Sequence, residues 1–523
     1  MRWVLTDKND RLRITKPNLP LRAKARLVVR GDTEDPTGIR SDAPTASLLA
    51  FHVICSAAAS RRWKIYGADA ANAYLQSKNI DRFLVLAAPD PPPPGTEPGA
   101  LYRALGAIYG TRDAGRSFWE HLVETLTVNG HWVQSKLERC LYMLYNADGQ
   151  LMGLCVSHVD DLLMIGDGSE AWLSELERLK EELHLSVSEY AFRYCGKNLV
   201  QDENFVITID QVESIDQLET IDLPKIRRQD PHALLDAAEI SELRSANGAL
   251  GWVARQSRPD VAFHTSKVAQ AMGMPKVKDI LLYNKAVLML KESRDQKLVF
   301  CDGVNYADAE LVAFCDAAFA NVDDPKLGDD VRSQCGVHIV LVSPGIGDGP
   351  VASHTLLWES SSAKRVVRST LAAEAYAASE AAEALAWLRA LYKELDAGHF
   401  EAHDGARPAH LMTDARSLLD AVASDVGRTR DRRLRIVLAA LREAMDDEQI
   451  NMTWVDTACQ LADVLTKDGI ERAPMISAMH GYVDVSAPAE ALARKEASRA
   501  QRAARADLRR EARAEAKRIA SMK

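Results

Sequence analysis

Apolar and polar positions along the chain predict two sheet-forming regions. In the first, the stretch C-V-S-H-V-D-D-L-L-M-I-G runs from Cys155 to Gly166 with two adjacent acids, Asp160 and Asp161, at its centre. Apolar runs of this length pack as buried strands, and a strand cannot continue through paired charges. The pattern therefore predicts a β-hairpin with both acids at its tip. Because unpaired burial of two carboxylates is costly, the tip is either a solvated turn or a metal site.

The second sheet-forming region begins near Ala307. Three apolar runs predict successive strands, and an alanine-rich stretch from about Arg368 to Leu395 predicts a long helix. Further strands are predicted through Leu411 and from Ile450, with two helical stretches between them. Helical patterns dominate from Leu234 to Lys291, between the two regions. The predicted order of the second region is three strands, helix, strand, helices, strand.

Four acids stand at the ends of elements or inside the first helix of this second region. They are Asp316, Glu374, Asp414 and Asp463. Each alone is typical of a helix cap or a solvated side chain. Carboxylates from several strand ends can nevertheless converge, and such clusters hold two divalent ions about 4 Å apart for attack at a phosphodiester. Ligands that are all oxygen favour Mg²⁺ or Mn²⁺ over zinc.

Composition narrows the class of protein. The 523 residues can form roughly two to four domains, and they include neither an apolar run of about 20 residues nor an apolar N-terminal stretch. These features predict a soluble intracellular protein. The eight cysteines form no C-x-x-C pair, so neither a zinc site nor a disulfide framework is indicated.

Charge is unevenly distributed along the chain. The formal net charge of −9 excludes a chain coated in positive charge. The segment from Arg11 to Arg30 is nevertheless basic and contains no acid, and its A-R-L-V-V-R core predicts a strand. Residues 488–523 carry an excess of about six basic residues and are rich in alanine, arginine and glutamate. This composition predicts one long exposed helix.

Six motifs together resemble one known family. Four stretches are similar to motifs of copia-type retrotransposon reverse transcriptases: K-A-R-L-V-V-R-G from Lys24, G-A-D-A-A-N-A-Y-L-Q-S from Gly67, I-Y-G-T-R-D-A-G-R-S-F-W from Ile108, and H-V-D-D. The stretches S-T-L-A-A-E-A-Y-A-A-S-E-A-A-E and Q-L-A-D-V-L-T-K resemble the RNase H of the same family. Their order and spacing carry the resemblance over most of residues 1–470.

The resemblance implies the reverse transcriptase and RNase H portion of a Pol polyprotein. The implied fold class is a multidomain α+β and α/β protein, in which a right-hand polymerase with fingers, palm and a thumb-like part precedes an RNase H-like domain with a five-stranded mixed sheet. The expected divisions are N-terminally truncated fingers and palm at 1–225, a thumb- or connection-like helical region at 226–304, the RNase H-like domain at 305–472 and a basic helical tail at 473–523.

The resemblance also implies the site residues and partners. Two Mg²⁺ or Mn²⁺ ions are expected in each active site. The implied palm ligands are Asp69, Asp160 and Asp161, and the implied substrate contacts are Lys24, Arg26, Tyr74 and Arg112. The implied RNase H ligands are Asp316, Glu374, Asp414 and Asp463. Expected partners are an RNA template, a DNA primer, RNA-DNA hybrid and dNTPs, within a homodimer or a larger Pol precursor. The expected location is the cytoplasm, including virus-like particles, with access to the nucleus.

Four positions depart from the family pattern and leave an alternative open. His158 replaces the usual tyrosine, Asp113 a glutamine, Gly115 a proline and Phe118 a tryptophan. The alternative is a degenerate element that is catalytically weak or inactive but still binds RNA or hybrid. A third interpretation, a two-metal nuclease unrelated to transposons, predicts one acid cluster, whereas this sequence contains two.

Overall fold

The computed structural model describes residues 1–486 except 8, 11–12, 14–16, 78, 325–327, 399–406 and 425–429. The helix predicted for residues 488–523 lies outside the described residues. Within the described part, no helix is both long enough and apolar enough to span a membrane.

The N-terminal part forms two small sheets and one large antiparallel sheet. Its elements are β1 (Arg2–Asp7), β2 (Ala23–Val28), α1 (Leu48–Arg61), β3 (Lys64–Ala70), α2 (Ala73–Gln76), β4 (Asn79–Ala87), β5 (Leu101–Gly106), α3 (Ala114–Thr127), β6 (Trp132–Gln134), β7 (Leu141–Tyr145), β8 (Leu151–His158), β9 (Asp161–Gly166), α4 (Glu170–Glu182) and β10 (Leu185–Glu189). β1 pairs with β2 and β4 with β5, while the large sheet has the order β10-β3-β9-β8-β7-β6. The predicted basic strand is confirmed as β2, and the predicted hairpin is β8 and β9.

A four-stranded sheet and a group of helices follow. Their elements are β11 (Ala191–Tyr194), β12 (Lys197–Gln201), β13 (Ile207–Asp210), α5 (Val212–Asp216), α6 (Lys225–Arg228), α7 (Ala237–Gln256), α8 (Ala262–Ala271), α9 (Val277–Glu292) and β14 (Leu298–Phe300). The sheet order is β11-β12-β13-β14. α7, α8 and α9 share a hydrophobic core that includes Leu243, Val268 and Ile280. The helical pattern predicted between the two regions is thus confirmed.

The second region forms a six-stranded mixed sheet with helices packed on it. Its elements are β15 (Glu310–Asp324), β16 (Gly328–Val342), β17 (Val351–Ser362), α10 (Thr370–Ala397), β18 (Ala409–Thr413), α11 (Arg416–Ala423), α12 (Arg432–Asp447), β19 (Ile450–Trp454), α13 (Ala473–Met479) and β20 (Tyr482–Val483). The strand order is β19-β18-β15-β16-β17-β20, with β18 parallel to both β15 and β19. The predicted order of elements is confirmed.

Two details of this region correct the sequence-based expectation. The sheet has six strands rather than five, because β20 pairs with the outer edge of β17. α13 also packs against β17 and β20, and its Met475 and Met479 belong to the main hydrophobic core. The structured region therefore continues past the boundary predicted at residue 472, and residues 473–486 are not part of an exposed basic tail.

The N-terminal part and the second region share one core. α1 is largely apolar and every residue from Ala50 to Ala59 is buried, as is typical of a helix packed on all sides. It packs against β8 and β9 on one side and against β17 on the other. His52 Nδ1 lies 2.8 Å from the carbonyl oxygen of Leu356, and Ser56 Oγ lies 2.9 Å from His354 Nδ1. A continuous cluster of buried side chains runs from α1 through β17 to α10.

Candidate active sites

The first acid cluster, Asp69, Asp160 and Asp161, lies where β3 and the β8–β9 hairpin run side by side. Asp69 is the cross-strand partner of Asp161, and the backbone amide of Ala70 donates a hydrogen bond to the carbonyl oxygen of Asp160 at 3.0 Å. Every residue of β8 except His158 is buried, as is every residue of β9 except Asp161. The apolar strands therefore fix the acids where these interior strands end, so the structure brings all three predicted palm acids together.

The hairpin turn contains a strained residue beside the acids. Val159 and Asp160 form a two-residue turn, and Val159 has φ 58°. Glycine, asparagine or aspartate usually occupies such positions, because a β-branched residue rarely adopts the left-handed region. This conformation costs on the order of 1–2 kcal/mol, which the pairing of the two strands offsets. The turn holds Asp160 in a fixed position next to Asp161.

Like charges dominate the electrostatics of the first cluster. Burial, together with the charges of Asp160 and Asp69, raises the pKa of Asp161. The Cys195 thiol donates to Asp161 Oδ2 at 3.7 Å. A divalent cation would relieve this repulsion, and the donors are carboxylate oxygens, which suit Mg²⁺ or Mn²⁺. In the described chain, however, no three His, Cys, Asp or Glu side chains converge closely enough to hold a metal ion, so binding one requires carboxylate rotation.

Aromatic and basic side chains face this cluster. The rings of Tyr74 and Tyr109 meet edge to face at 5.0 Å between centroids. Burial and then the charge of Asp160 raise the pKa of both phenols, while Arg26 lowers that of Tyr109. Tyr109 lies in the motif that begins at Ile108 but was not among the predicted residues.

The predicted basic residues lie in two separate places. Lys24 and Arg26 are two residues apart on β2 and so point to the same face of that strand. Arg112 instead donates from Nε to the carbonyl oxygen of Glu34 at 3.0 Å and from Nη2 to that of Asp32 at 3.4 Å. Its guanidinium holds the loop after β2.

Asp113, which departs from the family pattern, forms an ion pair with an arginine of the same chain. Arg82 Nη2 donates to Asp113 Oδ1 at 3.0 Å, and Arg82 Nε donates to Glu34 Oε1 at 2.8 Å. Burial alone would raise the pKa of Asp113, but the hydrogen bonds and charge of Arg82 outweigh it and lower that pKa. This acid is therefore neutralised internally and does not present an uncompensated charge to a nucleotide.

The other three departures have different structural settings. A Cβ at Gly115 would lie 3.0 Å from the Cβ of Ala43, so a small residue suits that close approach. Phe118 is buried in the core between α3 and the large sheet. His158 is exposed and, with Asp161, Arg193 and Trp252, lines an open cleft of about 640 Å³ between the hairpin and α7.

The second acid cluster, Asp316, Glu374, Asp414 and Asp463, lies on the mixed sheet. Asp316 is buried in β15, and Asp463 lies in the short helix Leu461–Leu465. Gly336 in β16 is the cross-strand partner of Asp316, and a Cβ there would lie 2.8 Å from the carbonyl oxygen of Ala462. The missing side chain lets the short helix approach β16 and brings Asp463 next to Asp316.

Lys467 connects two acids of this cluster. Its Nζ lies 3.2 Å from Asp316 Oδ2 and 2.6 Å from Asp463 Oδ1. The hydroxyl of Thr466 also donates to Asp316. Burial opposes the ammonium charge, but Asp316 and Asp463 outweigh it and raise the pKa of Lys467. The sequence analysis missed this residue, although its i,i+4 spacing from Asp463 is that of a helical ion pair.

Glu374 and Asp414 complete the second cluster. Burial, followed by the charges of Asp316 and Asp414, raises the pKa of Glu374 to about 9, and no described residue donates a hydrogen bond to the buried Glu374 Oε2. Asp414 Oδ2 accepts a hydrogen bond from Thr457 Oγ1 at 2.6 Å. Burial and the charge of Asp316 also raise the pKa of Asp463. An orphaned carboxylate oxygen among mutually repelling acids fits a divalent cation.

Comparison with known proteins identifies the first part of the chain. Residues 1–224 match the family described as reverse transcriptase (RNA-dependent DNA polymerase). This first part of the chain is therefore similar to that family. Longer matches to Pol polyproteins of transposons cover most of the chain, so the resemblance to copia-type Pol polyproteins is confirmed.

Two curated relatives illustrate the similarity to Pol polyproteins of transposons. The Retrovirus-related Pol polyprotein from transposon RE1 of Arabidopsis thaliana is 24% identical over 486 residues, covering 89% of this chain and 30% of that protein. The corresponding polyprotein from transposon TNT 1-94 of Nicotiana tabacum is 22% identical, covering 86% of this chain and 33% of that protein. The chain thus spans about a third of the length of these relatives. A foamy viral protease-reverse transcriptase bound to double-stranded DNA aligns with a TM-score of 0.47 and 12% identity, covering 83% of this chain and 63% of that one.

Proposed function

We propose that this protein is an RNA-directed DNA polymerase that also carries a ribonuclease H site. The observation that supports the polymerase part best is the strand register at the first cluster. It sets Asp69 directly opposite Asp161 and puts Asp160 in the adjoining turn, on rigid apolar strands. Acids held this way can keep reacting groups in a fixed geometry.

In the proposed polymerase site, the three acids of the first cluster bind the metal ions. Two bound Mg²⁺ or Mn²⁺ ions would supply activation of the primer 3′-hydroxyl and neutralisation of the triphosphate. Arg26 and Lys24 would offer cations to the phosphates of the incoming dNTP. Tyr74, supported by the ring of Tyr109, would contact the sugar and base of that nucleotide.

In the proposed nuclease site, the second cluster acts on the RNA strand of an RNA-DNA hybrid. Its support is that acids from β15, α10, the residue after β18 and the Leu461–Leu465 helix lie near enough on one mixed sheet for their charges to raise the pKa values of Glu374 and Asp463. We propose that this unit is an RNase H-like domain. Discrimination against DNA would depend on contacts with the RNA 2′-hydroxyl.

The proposed partners follow from these two sites. They are an RNA template, a DNA primer, dNTPs and RNA-DNA hybrid, in a protein that is part of a longer Pol precursor. An alternative is a degenerate protein that binds nucleic acid without catalysis. One observation favours it: among the described side chains, none of the acid groups is arranged to hold a metal ion without movement.

Reciprocal variants of the full chain test the proposal. Primer extension on a homopolymer RNA template and cleavage of a labelled hybrid are measured with Mg²⁺ and with Mn²⁺. Asp160→Asn should abolish extension but leave cleavage, and Asp316→Asn should do the opposite, since each change removes one ionic ligand with little change in volume. Asp148→Asn, at an exposed turn of the same sheet, is the matched control.

The outcomes separate the two functions. Wild-type protein with neither activity that still binds hybrid would favour the degenerate alternative. Extension unaffected by Asp160→Asn would contradict the assignment of the first cluster, and cleavage unaffected by Asp316→Asn would contradict that of the second.

A further inference from the structure

We infer that Lys467 is a resident cation of the second acid cluster, which a divalent metal ion must displace in order to bind. The inference rests on the proposed nuclease function. Its starting point is that one ammonium bridges the two buried carboxylates, with Nζ at 2.6 Å from Asp463 Oδ1 and 3.2 Å from Asp316 Oδ2. These are oxygens that a metal ion between the two acids would need.

The environment explains why a cation is required there. The side chains of Asp316 and Asp463 are 2% and 5% exposed, so neither carboxylate can be neutralised by water or salt. Asp414 adds further negative charge nearby, since its charge acts on the neighbouring Glu374. Two adjacent buried anions without a counter-ion are strongly destabilising. Lys467 therefore keeps the metal-free site folded and in position.

The side chain of Lys467 is placed so that it can leave. It is 37% exposed, and its flexible four-carbon stem reaches the acids from the solvent side. The backbone next to it is fixed, because Asp468 forms an ion pair with Lys285 Nζ at 2.7 Å and a hydrogen-bond contact with His264 Nε2 at 3.1 Å. Helices α8 and α9 thus hold the chain while the lysine side chain can rotate outward without opening a cavity in the core.

The ammonium and a metal ion cannot occupy the site together. Mg²⁺ binds carboxylate oxygens at about 2.0–2.1 Å, so an ion between Asp316 and Asp463 would take the position of Nζ. The ammonium and a metal ion beside it would also repel each other strongly, because both are cations in a partly buried site. Metal binding is therefore an exchange, and Lys467 lowers the apparent affinity of the metal-free protein for the ion.

The test uses the full chain carrying Asp160→Asn, so that the first cluster contributes less to the signal. Mn²⁺ is titrated by calorimetry, and melting temperatures are measured in EDTA and in Mn²⁺. Lys467→Met should bind Mn²⁺ at least about tenfold more tightly, because the competing charge is gone. In EDTA its melting temperature should be lower than that of the parent. Addition of Mn²⁺ should raise its melting temperature by more than it raises that of the parent. If Lys467→Met does not fold, Lys467→Gln carries the same expectation.

Three control variants complete the design. Lys467→Arg keeps the competing charge and should not increase Mn²⁺ affinity. Lys285→Met removes a neighbouring ion pair and should leave Mn²⁺ affinity unchanged. Asp316→Asn should remove Mn²⁺ binding at this site. Equal Mn²⁺ affinities of the parent and the Lys467→Met protein would overturn the inference and leave the nuclease proposal standing. Absence of Mn²⁺ binding in both proteins would overturn the inference and the proposed metal site together.

Discussion

The two acid clusters are both built on strands, yet they differ in how their charges are balanced. In the first cluster, Asp69 is exposed, Asp161 is half-buried and a cleft of about 640 Å³ opens beside the hairpin. In the second, Asp316 and Asp463 are almost completely buried and share the ammonium of Lys467. Water can screen the first cluster, whereas the second depends on a cation that the protein supplies. If both sites bind metal ions as proposed, the open site would need only carboxylate movement to accept an ion, whereas the enclosed site would also need Lys467 to be displaced.

The construction of the two clusters differs as well. A single strand register fixes the first cluster, because Asp69 and Asp161 are direct neighbours in one sheet. The second cluster needs a separate chain segment, Leu461–Leu465, to pack against Gly336 before Asp463 reaches Asp316. The second cluster is therefore more sensitive to packing at a distance, in particular to the contacts that hold β17 and the short helix.

The largest expected effect concerns the independence of the second cluster. A fragment of residues 305–486 contains all four of its acids but lacks α1, α7 and α8. In the full chain, Trp358 Nε1 donates to the carbonyl oxygen of Ala254 at 2.9 Å, and α1 covers β17. We expect the fragment to lose cooperative unfolding and hybrid cleavage, because one face of its sheet is left uncovered. Thermal unfolding followed by near-UV circular dichroism measures this.

The full chain is the control for that experiment. A fragment with a sharp unfolding transition and wild-type cleavage would break the comparison, because the second cluster would then need nothing from the rest of the molecule.

Local patterns in the sequence predicted much of the first cluster and of the second sheet. The apolar runs around Asp160 and Asp161 predicted the hairpin, since strands and turns are encoded by neighbouring residues. The order of strands and helices after Ala307 was predicted for the same reason. The sixth strand was missed because β20 has only two residues, too few for a periodic pattern.

Contacts between distant segments could not be predicted in this way. The pairs His52 with Leu356 and Ser56 with His354 are separated by 304 and 298 residues. One signal was present, since the sequence of α1 is largely apolar around the helix and such a helix is typically packed on all sides. Lys467 was missed because its importance depends on the burial of Asp316 and Asp463. That burial arises from the fold and cannot be seen in the sequence.

A smaller effect is expected from the pH dependence of Glu374. Its pKa is raised to about 9 by burial and by Asp316 and Asp414, so the folded metal-free protein holds a proton there that the unfolded chain loses near pH 4.3. The resulting stability is fully present below that unfolded value and is lost as pH rises towards 9. In EDTA, Glu374→Gln should melt at the same temperature as wild type near pH 4, and a few degrees higher near pH 9.

An exposed glutamate provides the control for Glu374. Glu203→Gln, in a loop, should leave the melting temperature unaltered at each pH. If Glu374→Gln instead destabilised the metal-free protein at high pH, Glu374 would be ionised and well solvated there. The contrast between the open and the enclosed cluster would then be wrong.

The smallest expected effect comes from Asp113, an acid whose cation is fixed in place. Arg82 lowers the pKa of Asp113 against the opposing effect of burial. Stability from this pair is therefore present above the unfolded pKa near 3.9 and is lost as pH falls through the folded value. Asp113→Asn should lower the unfolding free energy by about 1 kcal/mol at pH 7, since the pair is only partly buried, and the difference should vanish at low pH. This pH dependence is opposite in sign to that of Glu374→Gln.

Denaturant titrations at several pH values measure the unfolding free energy of Asp113→Asn, with Asp148→Asn as the control. A loss of unfolding free energy that persists at low pH would show that Asp113 acts through packing and not through its charge.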